Sequence, residues 1–316
     1  MRSAATTFTS SEKDSPPDSA QKITIPRRVG SVAEWFPLLM LPLIVVLIRE
    51  RVQPWIFMWL LAVAIFAGCK WQSFSSARGS RQQTSWKRSV AFLFLWPGMN
   101  ANEFLDTTSV PSEVQPREWA SALAKTVSGA ALIWIVVRRI PQPMLAAWIG
   151  MLALILLLHF GIFQILSVAW RTSGVCAEPI MQKPLQSRSL SEFWGKRWNL
   201  GFRQLSYGWI FKPLQKTAGI ALATLCAFLA SGLVHDLVIS LPARGGYGLP
   251  TAYFMIQAIG VLIERSAFGP KLGLGKGVIG WVWMALFAAG PAYWLFHPWF
   301  AIRVMLPFLR AIGAGC

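Results

Sequence analysis

The sequence predicts an all-α membrane protein, a polytopic bundle of apolar helices around a central chamber, and three observations carry that prediction. Of the 316 residues, 54% are hydrophobic and 14% are charged, whereas soluble domains carry about 25% charged residues. Runs such as 146–170, AAWIGMLALILLLHFGIFQILSVAW, exceed the roughly 20 residues that cross a hydrocarbon core of about 30 Å. The Lys and Arg residues gather in the loops between apolar runs, as membrane topology requires.

The formal charge of +17 is therefore mainly topogenic. It points to membrane lipids and an anionic ligand as partners, not to nucleic acid. Cys69, Cys176, Cys226 and Cys316 are scattered without metal or disulfide spacing, and no metal site is expected.

Residues 1–33 are rich in Ser, Thr, Pro and charge and lack the apolar stretch of a signal peptide. They read as a disordered polar tail. Residues 34–316 read as one membrane-embedded domain with about eight crossings. The run VAFLFLWPG (90–98) is broken by Pro97 and Gly98 and reads as a re-entrant half-span. Such breaks survive at membrane depth only when buried in protein or lining a cavity. The basic tail, the loop 70–88 and the loop 171–216 share one side of the membrane only if 89–98 does not cross. Arg138 and Arg139 then face the other side. No internal repeat is present, which argues against an inverted-repeat transporter.

Within the long basic loop lies SLSEFWGKRWNLGF (189–202). Leu190, Phe193, Trp194, Trp198, Gly201, Phe202 and Leu205 fall on one helical face, and Glu192, Lys196, Asn199 and Arg203 on the other. Ser189 and Glu192 have capping-box spacing, so a helix is expected to start at Ser189. Read alone, this is an interfacial helix with its tryptophans at the acyl boundary.

The next span contains LASGLVHDLVIS (229–240). An ionisable side chain inside an apolar helix is costly unless it faces the bundle interior or a wet cavity. His235 is thus either a packing hydrogen bond or a general base. Asp236 points about 100° away around the helix. His159 reads as a packing residue and His297 as a span-end residue among interfacial aromatics. No Gly-x-Ser-x-Gly elbow, His-x-x-x-His zinc pair, Walker loop or dinucleotide fingerprint is present. The glycines and lysines of 269–277 read as a flexible loop.

FWGKRWN followed by the intramembrane SGLVHDL, with PIMQKPL (179–185), 241–266 and FLWPGMNANEF (94–104), resembles the bacterial members of the wax synthase-like branch of the membrane-bound O-acyltransferase (MBOAT) superfamily. The resemblance covers roughly residues 90–310. It implies acyl transfer from an acyl-CoA co-substrate to a hydroxyl, with no other cofactor, in a bacterial cytoplasmic membrane. His235 corresponds to the family's histidine and would act as general base. Asn199 corresponds to its polar loop residue and would position or polarise the thioester. Lys196, Arg197 and Arg203 would attract the CoA phosphates, and Trp194 and Trp198 would complete the substrate-binding surface. A long-chain alcohol is the default acceptor, with a polyketide, glycan or sterol-like hydroxyl as alternatives. A transporter or flippase of a hydrophobic solute is the competing function.

Overall fold

The computed structural model describes residues 32–82 and 84–315, and among these it is helical with no strand. The expected polar tail lies almost wholly outside the described residues. Among the described residues, five helices are long and apolar enough to cross a membrane: α2 (Pro54–Ser76), α4 (Pro116–Arg139), α5 (Pro143–Thr172), α6 (Leu200–Ala243) and α8 (Gly277–Leu295). Shorter apolar helices accompany them, including α1 (Val32–Leu47), α3 (Trp86–Leu95), α7 (Leu249–Arg265) and the helical stretch α9 (298–311).

The start of α3 is set by Ser85, whose side chain accepts from the Arg88 amide. Its 10 residues reach only about 15 Å, half a hydrocarbon core. Trp96 then turns extended, because a residue before proline avoids the α region. The freed backbone is satisfied from α2. Buried Lys70 donates from Nζ to Gly98 O at 2.5 Å while lying 3.3 Å over the Phe92 ring, and Ser73 Oγ donates to Met99 O. This irregular backbone is satisfied by buried protein donors, as a half-span would require. Lys70→Ala removes one donor and leaves a buried carbonyl unpaired. It is expected to lower stability by about 1–3 kcal/mol, measured as a lower unfolding temperature in detergent.

A straight α6 would be about 66 Å long, twice a membrane core. Gly219, at φ +83 and ψ 168, breaks it, a conformation open to glycine and strained for other residues. The part after the break carries His235 and packs against α7. That packing is close because Gly232 lacks a side chain: a Cβ there would stand 2.7 Å from Thr251 Cα.

The continuous helix expected from Ser189 onward is not formed, and this corrects the periodic reading. Ser189 Oγ does accept from the Glu192 amide at 2.8 Å, so the start is where it was expected. The Glu192 carboxylate, however, accepts from the Arg188 amide and not from Ser189. A π-turn follows, closed by the Trp198 amide donating to Phe193 O at 2.9 Å. Trp198 is extended and Asn199 is left-handed, at φ 43 and ψ 60. Asparagine tolerates that region better than most residues. The stretch 180–182 straps across the break: Gln182 N donates to Arg197 O at 2.8 Å and Leu200 N to Ile180 O at 3.0 Å. Tertiary pairing with this strap replaces the missing helical hydrogen bonds.

Candidate active site

A cavity of about 300 Å³ lies between the 190–197 segment, both parts of α6, and α7. Asn199 and His235 both line it, together with Trp194, Trp198 and Arg203. Helical spacing explains the α6 wall: Thr224, Ala227, Phe228, Ser231 and His235 fall on one face. Two of its hydroxyls give their protons to the helix itself: Ser231 Oγ donates to Ala227 O and Thr224 Oγ1 to Ile220 O.

The His235 ring is fixed on two sides. Its Nδ1 lies 2.7 Å from Ser231 O, and the ring sits 4.5 Å from the Phe254 ring on α7. A carbonyl only accepts, so Nδ1 carries the proton in this bond and the lone pair of the neutral imidazole is on Nε2. That nitrogen is the one able to take a proton from a bound hydroxyl.

Trp194 and Trp198 face the bundle, not lipid, so the interfacial-helix reading does not hold for them. Trp194 packs on Phe228 and Phe254, with ring centroids 5.8 and 5.6 Å away, and donates from Nε1 to Gln257 Oε1 at 3.2 Å. Trp198 stacks on Phe193 at 5.3 Å and meets Phe160 of α5 at 6.2 Å. Fully buried Gln257 in turn donates to Phe287 O at 2.6 Å. A glutamine inside the apolar run YFMIQAIGV was the signal in the sequence for this link.

The basic residues divide. Arg203 lines the cavity, 5.5 Å over the Tyr207 ring. Lys196 is exposed outside it. Arg197 is also outside: it pairs with Glu192 at 2.6 Å and donates to the carbonyls of Gln182 and Lys183. Burial pushes the Glu192 carboxyl up, but the Arg188 amide and Arg197 outweigh that and hold it below its ordinary value. Arg197 thus clamps the strap. Arg265, at the end of α7, takes its place in the cavity wall and donates from Nε to Ser191 Oγ at 3.0 Å. Neither Arg203 nor Arg265 has a carboxylate partner among the ion pairs of the described residues.

Two acidic residues do structural work here. Buried Glu264 accepts from the amides of Leu190 and Ser191, at 2.6 and 3.1 Å, and so caps the 190–197 segment with charge. Asp236 accepts from the Gly248 amide at 2.8 Å, the Thr251 amide at 3.0 Å, Thr251 Oγ1, and Ser240 Oγ at 2.8 Å. It therefore belongs to the N-terminus of α7 and does not line the cavity. Ser240 also meets His297 Nε2 at 3.2 Å. Ser, His and Asp are together here but do not form a nucleophilic triad. Serine, not histidine, is the middle member, and both it and His297 are fully buried away from the cavity. His159 does not line the cavity either: its ring packs on Phe163 at 5.2 Å, as its packing reading expects. No cluster of His, Cys, Asp or Glu able to hold a metal exists among the described residues.

Comparison with known proteins places this geometry. Residues 177–256, which hold both Asn199 and His235, match the model of the membrane bound O-acyl transferase family. Probable long-chain-alcohol O-fatty-acyltransferase 7 of Arabidopsis thaliana is 25% identical over 141 residues, 40% of each chain. The long-chain-alcohol O-fatty-acyltransferase of Simmondsia chinensis is 27% identical over 143 residues, 42% of this chain and 40% of its own. Acyl-CoA--sterol O-acyltransferase 1 of Arabidopsis thaliana is 26% identical over 157 residues, 43% of this chain and 44% of its own. The chain spans less than half the length of these relatives. The stretch that builds the cavity is, on these matches, similar to the membrane bound O-acyl transferase family.

Proposed function

We propose that the protein is a membrane O-acyltransferase that moves a fatty acyl group from acyl-CoA to a hydroxyl, with a long-chain alcohol as the leading acceptor. The observation that carries this reading is that Asn199 and His235, thirty-odd residues apart in the matched stretch, line one cavity. The names of the relatives support both an alcohol and a sterol as acceptor classes. The bacterial type and a cytoplasmic membrane rest on sequence resemblance alone.

In this reading His235 Nε2 takes the proton of the acceptor hydroxyl as its oxygen attacks the thioester carbonyl. The C–S bond then breaks, the ester forms, and the same proton passes to the departing thiolate. No covalent acyl-enzyme and no cofactor beyond acyl-CoA are required. The Asn199 amide can donate a hydrogen bond to the carbonyl oxygen as charge develops on it. Arg203 and Arg265 supply positive charge for the donor's phosphates. Arg265→Gln and Arg203→Gln are each expected to raise the KM for acyl-CoA about tenfold or more, by loss of a charge-assisted hydrogen bond of about 1.5–3 kcal/mol. Lys196→Gln is expected to leave it within about twofold, because exposed charges outside a site act weakly. Steady-state kinetics with palmitoyl-CoA checks both.

The function itself is tested with purified protein in proteoliposomes, radiolabelled palmitoyl-CoA and a panel of alcohols and sterols. A new labelled ester supports acyl transfer. Movement of a lipid across the bilayer with no ester supports the competing transporter.

A further inference from the structure

His297 lies some sixty residues beyond the catalytic-base candidate, on the turn after α8, and it is fully buried. The structure is shaped around it. Gly246, at φ +73, lies so close that a Cβ there would stand 2.5 Å from the His297 ring. Its hydrogen bonds have a fixed direction. The Phe300 amide donates to His297 Nδ1 at 3.2 Å, because an amide nitrogen cannot accept. In the neutral ring Nε2 then carries the proton and donates to Ser240 Oγ at 3.2 Å. Ser240 has one proton to give, and Asp236 Oδ1 at 2.8 Å is a nearer and stronger acceptor than Gly246 O at 3.2 Å. Asp236 directly follows His235 and is keyed to Gly248 and Thr251 at the start of α7. Helix α7 in turn carries Phe254, the ring against His235.

We propose that His297 is a positioning residue for His235: through Ser240 it orients the Asp236 carboxylate, and that carboxylate fixes the turn of α6 holding His235 against α7. This rests on the reading of His235 as the base. It gives a fully buried histidine outside the cavity a part in turnover while leaving donor binding to other residues.

Two variants separate this from a merely structural role. His297→Asn keeps an oxygen able to accept from the Phe300 amide but loses the reach to Ser240. Ser240→Ala removes the middle of the relay. Each is expected to lower kcat on the order of ten- to a hundredfold, the size of effect that about 1 Å of misplacement produces, with KM for palmitoyl-CoA unchanged within about twofold. The double variant is expected to be no slower than the worse single one, since residues in one hydrogen-bond network are not additive. Wild-type kcat in both variants, multiplied losses in the double, or a loss confined to KM would overturn the proposal. If His297→Asn does not fold, Ser240→Ala alone decides by the same kcat and KM criteria. A wild-type protein that makes no ester overturns the function and this role together, and is told apart because the unmodified protein is itself silent.

Discussion

Replacing His235 by alanine is expected to lower ester formation by about 10²–10⁴-fold, the contribution of a positioned general base. The expectation follows from how the ring is held. Nδ1 is committed to Ser231 O at 2.7 Å, so Nε2 is the only nitrogen left to receive a proton. Phe254 packs on the ring face and limits its rotation. His235→Gln provides the informative control. It keeps polarity at the site but has no nitrogen lone pair able to accept a proton near neutrality, and is expected to be as slow as the alanine variant. Activity is followed as labelled ester per mole of purified protein. Both variants are expected to run as the wild type does on size exclusion, because the hydrogen bonds that tie this turn of α6 to α7 are made by Asp236 and not by His235.

Asn199→Asp is expected to lower kcat by about 10²–10³-fold if the amide donates to the developing oxyanion. Aspartate is the right probe because Asn199 does two things. Its backbone is left-handed at φ 43, and a left-handed alanine costs about 1–2 kcal/mol. Asn199→Ala would therefore mix loss of the amide with strain at the break. Aspartate tolerates the same backbone and has the same shape, but presents only acceptor oxygens. Asn199→Gly relieves the backbone and removes the side chain, and is expected to be about as slow. Equal activity of Asp and Asn at this position would limit Asn199 to shaping the break.

The residues that were legible in the sequence are those that cost most in an apolar environment. His235 stood out because an ionisable group inside a span must face the bundle or water, and it lines the cavity. The broken run at Pro97 and Gly98 was legible for the same reason: proline ends a helix locally, and α3 stops at Leu95. The loop segment was misread beyond Arg197. Periodicity sees only one chain segment, whereas the break at Trp198–Asn199 is made by pairing with 180–182. Charge also gives no partner. Arg197 and Arg265 look alike in sequence, yet one clamps the strap through Glu192 and the other lines the cavity. Asp236, Glu264 and His297 were opaque because each serves an element distant in sequence or across a turn.

The account's central claim is that the thioester reacts in the cavity shared by Asn199 and His235. Its most direct test is a cryo-EM structure of the protein with a non-reactive analogue of palmitoyl-CoA in which a methylene separates the sulfur from the carbonyl, so that the carbonyl is kept as a ketone. The account predicts the analogue's carbonyl oxygen within hydrogen-bond reach of the Asn199 amide, with His235 Nε2 facing the space beside its carbonyl carbon. Its phosphates are predicted beside Arg203 and Arg265. An analogue bound outside this cavity, or with its carbonyl remote from both side chains, would contradict it.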